Sequence, residues 1–155
     1  MRIDRLDNAQ LSVRHTLVPI DCTAASLDAL ALACQLSKKN KGTVYAVYVI
    51  EVARTMALDA ELPPEAAQGE EMLRRAEATA EKLDYKVSGE LLQARDAGHA
   101  IVDEAIERSV DAIIMGVDYT MPLGELELDE NAVYVLTHAP CRVILWRSAI
   151  GGGAG

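Results

Sequence analysis

Short apolar runs alternate along the chain with longer segments in which apolar residues recur every three or four positions. The short runs are typical of strands buried on both faces of a sheet. The longer segments are typical of amphipathic helices. The predicted strands are 15–21, 43–51, 85–94, 111–117 and 141–147, and the predicted helices are 26–40, 64–83, 98–110 and 129–138.

Each of the first three predicted helices has an apolar face that we expect to pack on the sheet. In chain order, the residues of these faces are Leu27, Leu30, Ala31 and Cys34, then Met72, Leu73, Ala76, Ala80 and Leu83, then Ile101, Val102, Ala105 and Ile106. The alternation of strands and helices predicts an α/β fold, a single doubly wound three-layer sandwich with a five-stranded parallel sheet. Ligands in such folds bind beyond the carboxyl ends of the strands, at the point where the strand order reverses. Here that point lies after Asp21 and after Gly116.

Composition and charge narrow the classes of function. The 155 residues are enough for one domain, and the net charge of −9 disfavours a protein that grips nucleic acid or an anionic membrane surface. The longest apolar run, 45–50, is too short to cross a bilayer, and the N-terminus has no apolar segment of the secretory type. Three cysteines without CxxC spacing favour a reduced chain. We therefore expect a cytoplasmic protein without membrane insertion.

The segment 116–131, "GVDYTMPLGELELDEN", carries five carboxylates, and no lysine or arginine follows Gly116 before Arg142. Asp129 followed by Glu130 is typical of a helix start, where an N-cap and an acidic first turn are both favourable. Alternatively, Asp118, Glu127 and Asp129 together bind a divalent cation, although their spacing matches no EF-hand loop.

Three stretches, "LVPIDCTAASLDALALA", "DEAIERSVDAIIMG" and "THAPCRVIL", resemble the universal stress protein family in order, spacing and sequence. The resemblance covers roughly 14–147, so we expect an N-terminal extension (1–13), one universal stress protein domain (14–147) and a flexible tail (148–155). It implies a Rossmann-like fold similar to that of adenine nucleotide alpha hydrolases. It also implies a homodimer with a cytoplasmic role in the stress response and no established catalysis.

One branch of this family binds ATP through the pattern G-x-x-G-x(9)-G-[S/T]. Gly116 matches its first glycine, whereas Tyr119, Asp129 and Glu130 stand at the second glycine, the third glycine and the hydroxyl. A tyrosine obstructs the approach of phosphate to the backbone. A carboxylate at about 6 Å repels a phosphate charge by about 0.7 kcal/mol in water and about 3 kcal/mol at an effective dielectric of about 20. The chain thus resembles the branch similar to universal stress protein A, which does not hold ATP.

Part of an adenine pocket is nevertheless expected. Asp21 stands where the family has an adenine-contacting aspartate, and Val49 falls near a family position that lines the pocket. With Gly116 and Arg95 these form the predicted residual nucleotide pocket, and His99 is a further cationic candidate. Two alternatives remain open: Asp21 caps the next helix, and Arg95 lies in a solvated loop.

Signatures of catalysis are absent from the sequence. There is no G-x-x-x-x-G-K-[ST], no G-x-S-x-G, no G-x-G-x-x-G and no H-E-x-x-H. We expect no enzyme, no catalytic residue, no metal and no cofactor. The last strand resembles the edge strand through which the family dimerises, so we expect a homodimer through Arg142, Val143, Ile144, Leu145 and Trp146.

Two functions follow. The first is a non-catalytic universal stress protein that acts through an unknown protein partner, with 118–130 as a candidate recognition surface. The alternative is a sensor that binds AMP, ATP or cyclic di-AMP in the residual pocket and regulates a transporter.

Overall fold

The computed structural model describes residues 13–118 and 124–149. Its strands are β1 (His15–Pro19), β2 (Thr43–Glu51), β3 (Ser88–Ala94), β4 (Ala112–Val117) and β5 (Arg142–Arg147). Its helices are α1 (Ala24–Asn40), α2 (Pro63–Lys82), α3 (Ala97–Glu107) and α4 (Glu130–His138). The predicted alternation is confirmed. Residues 1–12 of the predicted extension, Tyr119 and 150–155 of the predicted tail lie outside the described residues.

The five strands form one parallel sheet in the order β3-β2-β1-β4-β5, which confirms the predicted fold class. Leu17 of β1 lies opposite Tyr45 of β2 on one side and Ile113 of β4 on the other. The chain passes from β1 outward to β2 and β3, then crosses back to β4 on the far side of β1. The order therefore reverses between β1 and β4, where a ligand crevice is expected.

The helices cover both faces of this sheet. On one face, α1 and α2 enclose a core that includes Val18, Leu30 and Ile114. On the other face, α3 and α4 enclose a core that includes Leu17, Ile101, Val135 and Ile113. Successive strand residues point to opposite faces, so β1 and β4 are buried on both sides. Of the helices in the described ranges, none combines the length and the apolar composition that a membrane crossing requires.

Two predicted helix faces differ from the structure. In α1 the fully buried positions include Ala29 and Ala33, while the predicted Leu27 is only partly buried, because small residues let this helix lie close to the sheet. In α3 the predicted core residue Ile106 is 55% exposed. It lies on the flank of the arc formed by Ile101, Val102 and Ala105, which are buried as predicted.

Four element boundaries differ from the prediction by two residues or more. Two are ends: β1 ends at Pro19 rather than at 21, and α3 ends at Glu107 rather than at 110. The third strand begins at Ser88 rather than at 85, since Asp84 has a left-handed backbone (φ 52°) and the Tyr85 N–H donates to the Ala80 carbonyl at 3.0 Å. The first helix begins at Ala24, two residues before the prediction, because Thr23 caps it.

Candidate functional site

A cavity of about 170 Å³ lies where the strand order reverses, at the carboxyl ends of β1, β2 and β4. We call it the switch-point cavity. It is lined by Pro19, Ile20, Asp21, Val47, Val49, Glu51, Ala97, Ile101, Met115, Gly116, Asp129 and Asn131. Three of the predicted pocket residues, Asp21, Val49 and Gly116, therefore share one cavity, and the fourth, Arg95, does not line it.

Asp21 organises the start of α1 without capping it directly. Its Oδ1 accepts hydrogen bonds from the Thr23 backbone N–H at 2.8 Å and from the Thr23 hydroxyl at 2.5 Å. The Thr23 side chain is the N-cap and accepts from the Ser26 N–H at 3.3 Å. The alternative that Asp21 itself caps this helix is therefore wrong: the carboxylate fixes the residue that does.

Glu51 meets the start of α3. It is the last residue of β2, and its Oε1 accepts from the backbone N–H of Ala97, the first residue of α3, at 3.1 Å. Asp96 caps the same helix through the His99 N–H at 3.0 Å, and hydrogen bonds from His99 lower the pKa of Asp96. The periodic pattern alone does not single out Glu51; the available signal is a charged residue at the end of a predicted strand.

Asp129 caps α4. Its Oδ1 accepts from the Ala132 N–H at 2.8 Å, as the helix-start interpretation predicted. No group of three histidine, cysteine or acidic side chains suited to a metal ion occurs within 13–118 and 124–149. The structure thus does not bring Asp118, Glu127 and Asp129 together as the cation site of the alternative interpretation.

The two predicted cationic residues, Arg95 and His99, do not line the switch-point cavity. Arg95 donates through one guanidinium nitrogen to the carbonyls of Val52 at 3.3 Å and Ala53 at 2.5 Å. With the exposed His99 it lines a separate depression of about 510 Å³ between β3, α3 and the loop after β2. Among the described residues that line the switch-point cavity there is no lysine or arginine.

Cys22 lies beside this site and is exposed, with its sulfur 3.5 Å from the Tyr48 hydroxyl. Burial, followed by the hydrogen bond to Cys22, raises the pKa of Tyr48 to about 12. Tyr48 therefore stays protonated at neutral pH.

The switch-point cavity is acidic and is surrounded by helix starts. The starts of α1, α3 and α4 all lie around the cavity, and such helix starts attract anions. At α3 and α4 a carboxylate of the chain accepts from a first-turn amide, Glu51 from Ala97 and Asp129 from Ala132. At α1 Asp21 holds the N-cap residue Thr23 instead.

Known proteins resemble this chain over most of its length. A universal stress protein of Methanocaldococcus jannaschii is 28% identical over an alignment of 144 positions that covers 89% of this chain and 84% of that protein. A solved universal stress protein of Archaeoglobus fulgidus is similar with a TM-score of 0.71 at 20% identity, covering 89% of this chain and 96% of that one. A structure of the universal stress protein of that organism in complex with dAMP has a TM-score of 0.68 at 18% identity, covering 86% and 96%.

The sequence profile of the universal stress protein family matches residues 12–147. That range contains all five strands, all four helices described and the switch-point cavity. The chain belongs to the universal stress protein family.

Proposed function

We propose that this chain is a non-catalytic, cytoplasmic universal stress protein that acts through contacts with other proteins and does not hold ATP. The carrying observation is that carboxylates of the chain accept from first-turn amides of two helices at the switch-point cavity, Glu51 at α3 and Asp129 at α4. This supports membership of the branch similar to universal stress protein A.

The physical basis is competition for the same backbone groups. A phosphate binds a helix N-terminus through free N–H groups and the positive end of the helix dipole. The amides of Ala97 and Ala132 already donate to Glu51 and Asp129, so a phosphate would have to displace a carboxylate and then lie beside it. The described cavity wall offers no lysine or arginine to offset that repulsion.

Thermal denaturation with Mg-ATP tests this proposal. We expect no saturable rise in Tm up to millimolar ATP, and no release of phosphate on prolonged incubation. A saturable rise in Tm, or turnover of ATP, would refute it.

We further propose a homodimer through β5 (Arg142–Arg147). Among the described strands β5 pairs only with β4, so no described strand lies along its outer edge, and an edge of this kind favours pairing with a second copy. Val133 and Leu136 of α4 are 49% and 46% exposed, on the side of the helix away from Tyr134, which stacks on His99 of α3.

Val143 and Leu145 of β5 pack against the same core as α3 and α4 and are only partly buried. A second copy related by two-fold symmetry would pair its β5 with β5 of the first copy. The exposed side of α4 in each copy would then be covered by the other copy. Sedimentation equilibrium at micromolar protein concentration should therefore give twice the chain mass, and the mass of a single chain would refute the dimer.

A second function, an adenine nucleotide sensor, is favoured by a specific observation. Asp21, Val49 and Gly116 line one cavity. The similar Archaeoglobus fulgidus protein was solved with dAMP. A Tm screen with AMP, ADP and cyclic di-AMP tests this function. A saturable rise that Asp21→Asn weakens supports a sensor, and no rise with any of the three opposes it.

A further inference from the structure

All lysines of the chain lie at one end of the molecule, where β2 and β3 begin. Three are at the end of α1 and two flank the turn between α2 and β3: Lys38, Lys39, Lys41, Lys82 and Lys86. We infer that this surface, which we call the lysine end, binds an acidic segment of a partner protein that carries an apolar side chain. The inference rests on the proposed action through protein contacts and adds the surface and the chemistry of the partner.

Two hydrogen bonds join these segments into one surface. The Lys38 ammonium donates to the Leu83 carbonyl at 3.1 Å, and the Tyr85 hydroxyl donates to the Gly42 carbonyl at 2.5 Å. The end of α1 and the turn after α2 therefore lie side by side. Their charges can act together on one partner.

The lysine end is positive, and the chain does not neutralise it. Segments 38–42 and 81–87 hold five of the 15 basic residues but only two of the 24 acidic residues, Glu81 and Asp84. All five lysine side chains are exposed, and none forms a salt bridge with a carboxylate in the described part of the chain. This end therefore has the opposite sign to the net charge of −9 and attracts an anionic partner.

The helix ends account for only part of this charge. A lysine in the last turn of a helix interacts favourably with the helix dipole, which explains Lys38, Lys39 and Lys82. Lys41, however, has a left-handed backbone (φ 56°), a conformation that favours glycine. Lys86 lies beyond the end of α2. The helix ends thus give no reason for a lysine at either of these two positions.

A depression of about 390 Å³ gives the lysine end a place for an apolar side chain. It lies between the ends of α1 and α2 and is lined by Gln35, Lys38, Lys39 and Leu83. Leu83 is partly buried, and the aliphatic stems of lysines add apolar surface while their ammonium groups stay in water. The surface therefore matches a segment in which carboxylates flank a leucine or a similar side chain.

Other anionic partners match this end less well. The net charge of −9 repels nucleic acid, and phosphate recognition favours the forked guanidinium of arginine over lysine. Attachment to an anionic membrane favours large apolar side chains beside the charges. In the described segments 35–42 and 81–87 no large hydrophobic residue is exposed. An acidic protein segment is therefore the partner that the surface favours.

Fluorescence anisotropy of a labelled peptide, glutamates around a single leucine, tests the inference with the full chain. Lys39→Glu and Lys86→Glu reverse exposed charges whose side chains make no hydrogen bond within the described residues. One charge pair at about 6 Å changes affinity about threefold in water, and a reversal replaces an attraction by a repulsion. We therefore expect each variant to bind the peptide at least threefold more weakly than the wild type, with an unchanged Tm.

The matched control is Arg54→Glu. It makes the same charge reversal at an exposed residue in the loop after β2, at the opposite end of the sheet, and should bind the peptide like the wild type. A second peptide with serine in place of leucine should bind more weakly than the first. Binding should also weaken as the salt concentration rises.

The outcomes separate this inference from the proposed function. Saturable binding of the peptide that weakens in both lysine variants, but not in Arg54→Glu, supports it. Equal binding by the wild type and the lysine variants overturns the lysine end as the site, and equal binding of the two peptides overturns the apolar contact. Tighter binding of a DNA duplex or of phosphatidylserine vesicles overturns the class of partner. Binding of no probe overturns the surface, whereas the proposed function stands or falls with Mg-ATP.

Discussion

Gly116 sets how closely α1 approaches the sheet. A Cβ built on this residue would lie 2.0 Å from the Ala25 carbonyl oxygen and 2.7 Å from the Ser26 nitrogen, both backbone atoms of the first turn of α1. The same position matches the first glycine of the ATP-binding pattern. In this chain its closest neighbour is the helix, so its structural role does not depend on any ligand.

We predict that Gly116→Ala destabilises the fold by about 1–3 kcal/mol, the usual cost of overpacking, since backbone rather than a flexible side chain has to move. Urea denaturation measures the loss. Gly89→Ala is the matched control, because the nearest atom to its added Cβ is a Glu77 side-chain oxygen at 3.5 Å. Equal stability of Gly116→Ala and wild type would show that the contact is not tight.

At the scale of secondary-structure elements, the apolar pattern predicts each strand and helix but not how each helix is rotated. In α1 the buried arc centres on Ala29 and Ala33, because alanines permit close approach, while larger leucines at its edge supply the same periodic signal. In α3, Ile106 has the spacing of the predicted apolar face, yet its side chain is exposed. The spacing of apolar residues locates the buried face of a helix only to within about one residue. The packing of the helix against the sheet then determines its rotation about its own axis.

The flank of α4 gives a test of the dimer at this scale. We predict that Leu136→Asp shifts the chain towards monomer, because it places two charges, one from each copy, in an apolar interface. Leu58→Asp is the matched control: Leu58 is 47% exposed, Leu136 is 46% exposed, and Leu58 lies in the loop after β2.

Sedimentation velocity of the two variants at equal concentration measures the shift. We expect a slower sedimentation boundary for Leu136→Asp and an unchanged boundary for Leu58→Asp. Identical boundaries for both variants would place the interface elsewhere.

At the scale of the whole molecule, fold class and the place of the crevice follow from element order, whereas the chemistry of the crevice does not. Glu51 and Ala97 are 46 positions apart and meet only because β2 ends beside the start of α3. Arg95 was a reasonable cation candidate by position, but its guanidinium turns to the Val52 and Ala53 carbonyls. Side-chain direction depends on such long-range partners, which no local pattern encodes.

The stability of the whole molecule depends on pH through cysteine and tyrosine side chains whose pKa values burial raises. Burial raises the pKa of Cys34 to about 11, that of Tyr48 to about 12, and those of Tyr85 and Cys141 above their ordinary values. The folded chain therefore holds these protons more tightly than the unfolded chain does. The associated stability is present below about pH 9 and is lost as pH rises through the folded-state values.

We predict that Tm falls steeply between about pH 9 and pH 12, with Cys34 contributing on the order of 2 kcal/mol. Cys34→Ala should flatten this fall while lowering Tm at neutral pH through lost packing. Scanning calorimetry across the pH range provides the measurement. If Tm falls with pH in Cys34→Ala in parallel with the wild type, Cys34 does not contribute to the loss of stability at high pH.

In our proposal, Glu51 and Asp129 occupy the starts of α3 and α4, where a nucleotide phosphate would bind. Isothermal titration of Mg-ATP into the wild-type chain and into Tyr119→Gly/Asp129→Gly/Glu130→Ser tests it, because this variant restores all three positions at which the chain departs from the family's ATP pattern. We expect no saturable heat from the wild type and saturable heat from the variant. Micromolar binding of ATP by the wild type, or the same heat from both chains, would contradict the proposal.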